Sequence, residues 1–317
     1  MSRIKVAVIT GPTGTGKTKL AIELARTLGG EVVSADSMQL YREMDIGTAK
    51  PDAEELSLAR HHMIDIASPE EDFSVALYAE MAAKCVEDIA SRGKLPIIAG
   101  GTGLYIDSLL AGHSFAVHAD AALRASLERE YDELGGEAML QKLAQCDPFR
   151  AGILHANDKK RIVRALEVFE TTGKPISQFD EETKAIPPRF ESAKIALNYA
   201  DREKLYARID ARVDEMFAKG LVREVEVLLS RGICPEKHTA MQAIGYKEIV
   251  SALRGEISEA EARELIKRES RRYAKRQLTW LRRDKSVMWI EWGETPDFER
   301  ARLISTEFLA KTGIITA

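Results

Sequence analysis

A glycine-rich segment near the N-terminus constrains the fold more than any other part of the sequence. Residues 11–18 read GPTGTGKT and fit the pattern G-x-x-x-x-G-K-[ST], between an apolar segment (4–9) and a segment with helical periodicity (17–28). A loop in that position turns several backbone N–H groups toward one point at a helix N-terminus, where the helix dipole favours an anion. The sequence therefore predicts a phosphate-binding loop formed by Gly11, Pro12, Thr13, Gly14, Thr15, Gly16, Lys17 and Thr18.

The last two residues of this loop carry its chemistry. Lys17 adds a full positive charge, and the Thr18 hydroxyl can hold a Mg²⁺ ion that bridges two phosphates. Motifs of this kind are commonly associated with nucleotide and ATP binding, but the local chemistry specifies only an anion of the size of pyrophosphate, together with magnesium. The identity of the ligand therefore has to come from other parts of the sequence.

The composition excludes several classes of protein. Of the 317 residues, 45% are apolar and 30% are charged, as in ordinary soluble globular proteins. No apolar segment reaches the length of about 18 residues that spans a bilayer, and the N-terminus lacks the features of a secretory signal. The three cysteines, Cys85, Cys146 and Cys234, are too scattered for a disulfide framework or a zinc site. We therefore expect a cytoplasmic protein with no membrane partner.

Positive charge is concentrated in one segment near the C-terminus. The formal net charge is −4, yet residues 267–285 contain nine basic residues and two acidic ones. Lys275 and Arg276 provide cations for phosphates, Gln277 offers an amide for base edges, and Trp280 offers an aromatic ring for stacking. Trp280 also fits a core position of an amphipathic helix. Such a segment in an acidic protein indicates a local site for a polyanion.

The first hundred residues alternate strand-like and helix-like segments. This order predicts an α/β fold in which a parallel sheet is flanked by helices, as in P-loop NTPases. Ligands of such sheets bind at the carboxyl ends of the strands, so the phosphate-binding loop, Asp36 and the turn at residues 100–103 should meet at one edge. After Gly112 the pattern becomes helical. We predict a core domain formed by residues 1–112 and 190–317, and a helical insertion domain formed by residues 113–189.

Two side chains at the predicted edge of the sheet are candidates for the chemistry. Asp36 follows a strand, where its carboxylate can act as a general base toward an acceptor or contact magnesium. Asp65 is an alternative magnesium ligand. Thr102 places a hydroxyl in a glycine-rich turn that a substrate can approach closely.

Eight motifs, in this order along the chain, resemble the bacterial tRNA dimethylallyltransferase family. The loop motif is common, but the motifs at 34–51 and 274–283 are highly specific. The motifs are GPTGTGKT (11–18), SADSMQLYREMDIGTAKP (34–51), HHMIDI (61–66), AGGTGLYIDSLL (99–110), NDKKRIVRALEVFETTGKP (157–175), LYARIDARVDEM (205–216), QAIGYKE (242–248) and AKRQLTWLRR (274–283).

The resemblance implies transfer of a dimethylallyl group from dimethylallyl diphosphate to the exocyclic N6 amine of an adenosine. The acceptor would be the adenosine immediately 3′ of the anticodon in tRNAs that read codons beginning with U. In the family the phosphate-binding loop holds the prenyl diphosphate, with Lys17, Thr18 and Mg²⁺ neutralising pyrophosphate and Arg212 as a further candidate. The resemblance implies that Asp36 is the general base and that Thr102 lies near the reacting groups.

The resemblance also implies contacts to the tRNA anticodon stem-loop, from which the acceptor base must be flipped out. In some relatives the pair matching Lys159 and Lys160 is Pro-Gln, so this contact differs within the family. The implied tRNA-binding residues are Asp36, Ser37, Met38, Gln39, Thr102, Arg124, Lys160, Arg161, Arg164, Gln242, Gly245, Tyr246, Lys247, Lys275, Arg276, Gln277 and Arg282.

The residues alone leave two other enzyme classes open. A small-molecule kinase uses the same kind of loop, but such a kinase gives no role to the basic segment near the C-terminus. An adenylate prenyltransferase acts on free nucleotides, and we expect that shorter class to lack the motifs at 242–248 and 274–283. We expect the protein to be a monomer.

Overall fold

A parallel sheet organises the larger part of the molecule. The computed structural model describes residues 3–111 and 120–316. The strands are β1 (Lys5–Thr10), β2 (Gly30–Ser34), β3 (His61–His62), β4 (Leu95–Ala99), β5 (Glu191–Tyr199) and β6 (Met288–Trp292). They form a six-stranded sheet in the order β3-β2-β4-β1-β5-β6, with every neighbouring pair parallel.

Helices connect and cover the strands. In the described parts of the chain, none of them is both long enough and apolar enough to cross a membrane. The helices are α1 (Lys17–Leu28), α2 (Ala53–Leu58), α3 (Val75–Ser91), α4 (Gly103–Ala111), α5 (Ala121–Leu134), α6 (Gly136–Cys146), α7 (Pro148–Ile153), α8 (Lys159–Thr172), α9 (Ile176–Lys184), α10 (Arg202–Ala218), α11 (Leu221–Ser230), α12 (Tyr246–Leu253), α13 (Glu259–Leu281) and α14 (Phe298–Lys311), with a 3₁₀ turn at Thr239–Gln242.

Alternate residues of the central strand β1 contribute to hydrophobic cores on opposite faces of the sheet. Val6 and Val8 pack in the cluster that includes buried residues of α3 and α4, whereas Ala7 and Ile9 pack in the cluster that includes α1 and α14. All four side chains are fully buried, because successive residues of a strand point to opposite faces and both faces carry helices. The predicted α/β fold with a parallel sheet flanked by helices is confirmed.

The chain divides into two compact units. One unit comprises Met1–Leu110 with Arg189–Ala317 and contains the sheet, and the other comprises Ala111–Pro188. The second unit is helical and has a small core of its own, to which α5, α6 and α8 contribute. This core includes Leu127, Met139, Leu143, Ile162 and Leu166. The boundary predicted between residues 112 and 113 lies outside the described residues.

The segment from the end of β2 to the loop that follows β3 contains residues with an unusual backbone conformation. Among the described residues, those other than glycine with φ in the left-handed region are Glu43 (64°), Ala49 (46°), Met63 (62°) and Asp65 (55°). Side chains with a Cβ rarely adopt this conformation, and it persists only where surrounding contacts hold it. Lys50 provides such contacts, because its Nζ lies 2.5 Å from carboxylate oxygens of both Asp45 and Asp65.

The conformation of Gly11 generates a prediction about stability. Its φ is 139°, and a Cβ at this position would lie 2.3 Å from the carbonyl oxygen of Leu197 in β5. Gly11→Ala is expected to lower the free energy of unfolding by about 3 kcal/mol or more, because backbone strain adds to the steric conflict. Urea denaturation would measure the loss.

Gly29→Ala is the matched control for that substitution. Gly29 ends α1 with a φ of 65°, and a Cβ there would meet nothing within 4 Å. In the control, the free energy of unfolding should therefore fall only by the cost of placing an alanine in the left-handed region, about 1 to 2 kcal/mol. Equal losses in the two variants would show that the approach of Leu197 to Gly11 has no energetic importance.

Candidate active site

Distant parts of the chain fix the shape of the phosphate-binding loop. Gly16 adopts a φ of 84° as the N-cap of α1 and makes no side-chain capping hydrogen bond. The ring of Phe298 packs against Gly16, where a Cβ would lie 2.6 Å from it. Trp292 Nε1 donates to the carbonyl oxygen of Thr15 at 2.9 Å. The first N–H groups of α1 are therefore presented without a side-chain cap, as an anion site requires.

Two cations lie beside this loop without an ion-pair partner among the described residues. Lys17 Nζ donates to the carbonyl oxygen of Pro12 at 2.9 Å, and the buried Nε of Arg212 has no hydrogen-bond partner. Burial, followed by the charge of Arg212, lowers the pKa of Lys17 to about 7, while the charge of Asp36 opposes the shift. Burial also lowers the pKa of Arg212. A bound anion would relieve both effects, because it favours the charged forms.

Thr18 is the residue of this loop that can hold a metal ion. Its hydroxyl forms no hydrogen bond with any described residue. Within residues 3–111 and 120–316, no group of three or more His, Cys, Asp or Glu side chains is arranged to hold a metal. A magnesium ion at Thr18 would therefore depend on oxygens of a bound di- or triphosphate, which is the usual way in which Mg²⁺ is held with phosphate ligands.

The carboxyl ends of β2 and β4 bring Asp36 and Thr102 together. The backbone N–H of Thr102 donates to the carbonyl oxygen of Ala35 at 3.2 Å, so the turn after β4 lies against the end of β2. Thr102 Oγ1 accepts a hydrogen bond from the Ser37 N–H at 3.1 Å. Asp36 Oδ1 accepts one from the Met38 N–H at 2.9 Å. The three segments that were predicted to meet at this edge of the sheet do so.

Gln277 occupies a different place from the one predicted. Its side chain is only 6% exposed. Oε1 accepts a hydrogen bond from the Thr13 N–H, and Nε2 donates to the carbonyl oxygen of Gly101, both at 2.9 Å. With both ends of the amide engaged by the backbone, Gln277 is not available to read a base edge. It joins the phosphate-binding loop to the turn that carries Thr102.

Tyr273 is a site residue that the sequence analysis missed. Burial and the nearby charge of Asp36 raise the pKa of its phenol to about 12, against the opposite effect of hydrogen bonding with Thr102 and Gln277. The phenol is therefore protonated at neutral pH. A signal was present, because Tyr273 and Gln277 are four residues apart and lie on the same face of α13.

The basic residues of α13 and the turn after it separate into two groups. Those in the first half are neutralised: Lys267 pairs with Asp214, Arg271 pairs with Asp210, and Arg268 and Arg272 both lie near Glu269. The other group forms no ion pair with any described residue and comprises Lys275, Arg276, Arg282, Arg283 and Lys285. The segment of unpaired positive charge is therefore shorter than the sequence indicated, and it covers residues 275–285.

Trp280 has a structural position on the same helix. Its Nε1 donates to Asp107 at 2.7 Å, and its ring covers Gly103, where a Cβ would lie 2.4 Å away. Of the two interpretations of Trp280, the core position is therefore the one that the structure supports. The helix uses this side chain to pack on the start of α4.

The residues after Asp36 differ in how they are engaged. Met38 packs against the hydrophobic core. Gln39 Nε2 donates to the carbonyl oxygens of Thr48 and Ala49 at 3.4 and 3.2 Å, so this amide stabilises its own loop. Ser37 holds Thr102, as described above. Lys50 engages Asp65 in an ion pair at 2.5 Å, which disfavours the alternative in which Asp65 is a magnesium ligand.

The 242–248 segment contains two buried residues whose predicted RNA contacts do not fit. Tyr246 is fully buried, and its hydroxyl donates to Glu224 Oε1 at 2.6 Å. It supports the loop before Lys50 rather than facing solvent, because the same carboxylate also accepts three backbone N–H groups. Gly245 is also buried, whereas Gln242 and Lys247 are exposed.

In the helical unit, a buried carboxylate holds two of the predicted RNA-binding arginines. Glu167 accepts hydrogen bonds from Arg124 at 2.8 Å and from Arg164 at 2.9 Å. Burial alone would raise the pKa of Glu167, but these arginines hold it below its ordinary value. Arg124 and Arg164 therefore stabilise the unit through their ion pairs with Glu167. Lys160 and Arg161 are exposed at the start of α8, where Arg161 lies 3.3 Å from Asp158.

Comparison with known sequences identifies close relatives. Residues 39–284 match a family model described as IPP transferase. A tRNA dimethylallyltransferase of Acetivibrio thermocellus is 51% identical over 311 residues, which cover 98% of each chain. A protein of the same name from Geobacter sulfurreducens is 47% identical over 307 residues, which cover 97% of each chain.

Solved structures show the same fold. The tRNA isopentenylpyrophosphate transferase of Bacillus halodurans has a TM-score of 0.72 and 41% identity, covering 97% of this chain and 96% of that one. A eukaryotic dimethylallyltransferase described as acting on tRNA has a TM-score of 0.82 and 29% identity, covering 97% of this chain and 80% of that one.

The lowered pKa of Lys17 generates a prediction about pH. The folded value of about 7 lies below the ordinary 10.5, so the unfolded chain holds this proton more tightly between those values. The buried charge therefore reduces stability in full below pH 7, and the reduction fades as the pH approaches 10.5. Lys17→Met is expected to raise the melting temperature of the ligand-free protein by a few degrees near pH 6.5, with a smaller gain at higher pH.

Inorganic pyrophosphate provides the control for this effect. The anion should stabilise the wild type more than Lys17→Met and so remove the advantage of the variant. Thermal unfolding followed by circular dichroism would measure both. A variant that is no more stable than the wild type at any pH would show that the charge of Lys17 does not destabilise the ligand-free protein.

Proposed function

The chain belongs to the tRNA dimethylallyltransferase family, and from this membership we propose the details of its reaction. The enzyme transfers a dimethylallyl group from dimethylallyl diphosphate to the N6 amine of the adenosine immediately 3′ of the anticodon. The tRNAs concerned read codons that begin with U. One observation supports this proposal above the others: Lys17 and Arg212, with no ion-pair partner in the described chain, lie beside Asp36 at the edge of the sheet.

Lys17 and Arg212 favour the departure of pyrophosphate. The C–O bond between the allylic carbon and the diphosphate breaks, and pyrophosphate leaves with the electron pair. Lys17, Arg212 and the N–H groups at the start of α1 stabilise the negative charge that develops on that oxygen. No phosphoryl transfer is involved.

Asp36 can assist the other half of the reaction, in which the adenine amine attacks the allylic carbon. The adenine amine is a poor nucleophile because its lone pair is delocalised into the ring. As the new N6–C bond forms, Asp36 accepts the proton that N6 releases. Its Oδ1 is already engaged by the Met38 N–H, which fixes the orientation of the carboxylate. Thr102, which accepts a hydrogen bond from the Ser37 N–H, offers a hydroxyl beside it that can contact the acceptor.

We propose Mg²⁺ as the cofactor, held by Thr18 and by oxygens of the diphosphate. The unpartnered Thr18 hydroxyl is consistent with this role. When bound, the ion would neutralise charge on the leaving pyrophosphate. Lys17 and Arg212 would still orient the diphosphate in the loop.

We propose that the RNA partner is the anticodon stem-loop and that Lys275, Arg276 and Arg282 contact its phosphates. These cations form no ion pair with any described residue and lie on or just after the helix that carries Tyr273 and Gln277. The exposed residues Gln242, Lys247, Lys160 and Arg161 remain candidate contacts. We further propose that the protein acts as a monomer in the cytoplasm.

The two alternative functions have less support. The kinase interpretation explains the loop but gives no role to the unpaired cations at 275–285, and the relatives are not named as kinases. A prenyltransferase acting on free adenylate would need no such cations. Incubation of unmodified tRNA and free AMP with labelled dimethylallyl diphosphate and Mg²⁺, with and without ATP, separates the three when ATP binding is measured by titration alongside it. Label should enter the tRNA without ATP; label in free AMP alone, or no transfer with tight ATP binding, would overturn the proposal.

The role of Asp36 is tested by Asp36→Asn. Asparagine keeps an acceptor for the Met38 N–H but is not a base, so the turn should survive while transfer falls by about 100-fold or more. Single-turnover transfer and filter binding of tRNA would measure the two effects separately. Transfer within a few-fold of the wild type would exclude Asp36 as the general base.

The RNA-binding role of the unpaired cations is tested on α13 and the turn after it. Replacing Arg276 and Arg282 with alanine should weaken tRNA binding and reduce the slope of log K against log salt concentration by about 1 to 2. Arg268 and Arg272 provide the matched control, since they are exposed arginines of the same helix already paired with Glu269. Their double alanine variant should change the slope less, and an equal change would contradict the assignment.

A further inference from the structure

The Gln277 amide lies between the two loops that the proposed reaction uses. Gln277 is 264 residues from Thr13 and 176 residues from Gly101 in sequence, yet it bonds to both. Thr13 belongs to the phosphate-binding loop, and Gly101 immediately precedes Thr102. The side chain is thus a direct bridge between the part of the site for the diphosphate and the part for the acceptor.

An amide satisfies both ends of this bridge at neutral pH. The Thr13 N–H needs an acceptor, and the carbonyl oxygen of Gly101 needs a donor. A carboxylate has no donor, and an apolar side chain has neither group. Gly101 also fits the bridge closely, because a Cβ there would lie 2.2 Å from Gln277 Nε2. The Thr13 N–H is committed to Gln277, so this bond orients the loop rather than binding a phosphate.

We propose that Gln277 is a positioning residue that holds the phosphate-binding loop in register with the turn carrying Thr102. The inference rests on the proposed function and adds a residue to it. Since α13 also carries Lys275 and Arg276, the surface proposed to bind RNA and the bridge between the two loops belong to one helix. A loss of the bridge would let the diphosphate and the acceptor move apart, and small misplacements of reacting groups reduce rates strongly.

The first experiment compares Gln277→Met with the wild type. Methionine keeps the volume of the side chain but neither hydrogen bond. We expect the KM for dimethylallyl diphosphate to rise and kcat to fall, giving a loss in kcat/KM of about 100-fold, while the KM for tRNA stays unchanged. Thr279→Ala is the control, because Thr279 is exposed and bonds only to the Lys275 carbonyl oxygen in its own helix. It should behave as the wild type.

The second experiment uses Gln277→Glu and a readout that a packing defect would not change. A protonated carboxylic acid can accept from Thr13 and donate to Gly101 as the amide does, whereas a carboxylate cannot. The activity of Gln277→Glu relative to the wild type should therefore rise as the pH falls from 8.5 to 5.5. The same ratio for Gln277→Met should stay flat, because methionine does not titrate. A flat ratio for both variants would overturn the proposal.

A double substitution tests the bridge in a third way. Gly101→Ala places a Cβ against Gln277 Nε2 and should reduce kcat/KM on its own. In the Gln277→Ala background that conflict disappears, so the combined loss should be smaller than the sum of the single losses. Additive losses would show that the two residues do not act together.

These outcomes are distinguishable from failure of the proposed function. If the wild type transferred no dimethylallyl group to tRNA, the proposed function would be wrong, and the bridge would be tested by binding of inorganic pyrophosphate to the wild type and Gln277→Met. Weaker binding by the variant would support the bridge. If the wild type were active and Gln277→Met had an unchanged KM for dimethylallyl diphosphate, only the bridge would be wrong.

Discussion

The proximity of two cations that form no ion pair with any described residue is the constraint on which the site depends. Burial and the charge of Arg212 make it unfavourable for Lys17 to hold its proton, so the ligand-free protein carries an electrostatic cost that only an anion removes. Packing elsewhere has to outweigh this cost, and the double-sided core of the sheet provides that packing. The protein is therefore less stable than its fold alone allows, at the place proposed for the diphosphate.

The phosphate-binding loop is short and near the N-terminus, but its shape depends on residues from the last part of the chain. Trp292 bonds to Thr15, Phe298 packs against Gly16, and Gln277 bonds to Thr13. Each of these contacts joins residues that are more than 260 positions apart in the sequence. The motif predicts that an anion binds, whereas the contacts from β6, α13 and α14 determine how rigidly the loop presents its N–H groups.

Much of the fold and part of the site were predictable from sequence. Strand β4 and the loop before α1 have strong local signals, and the rule that ligands bind at the carboxyl ends of parallel strands was enough to bring Asp36 and Thr102 together. Burial was not predictable in the same way. Gln277 and Tyr246 have polar side chains typical of a surface, and only tertiary contacts show that both are buried. Ion pairing was also hidden, because the partners of Arg124 and Arg271 are distant in sequence.

Helix α13 carries the side chains for two of the proposed tasks. Tyr273, Gln277 and Trp280 face the protein, whereas Lys275, Arg276 and Thr279 are exposed. Helical periodicity separates Lys275 and Thr279 from the inward set, whereas Arg276 lies at the boundary, with its guanidinium 5.5 Å from the centre of the Tyr273 ring. A substitution at Lys275 can therefore change the proposed RNA-binding charge while the inward residues keep the loops in place, but a substitution at Arg276 also removes the contact with Tyr273. The proposed recognition and chemistry therefore share a helix and are coupled through Arg276.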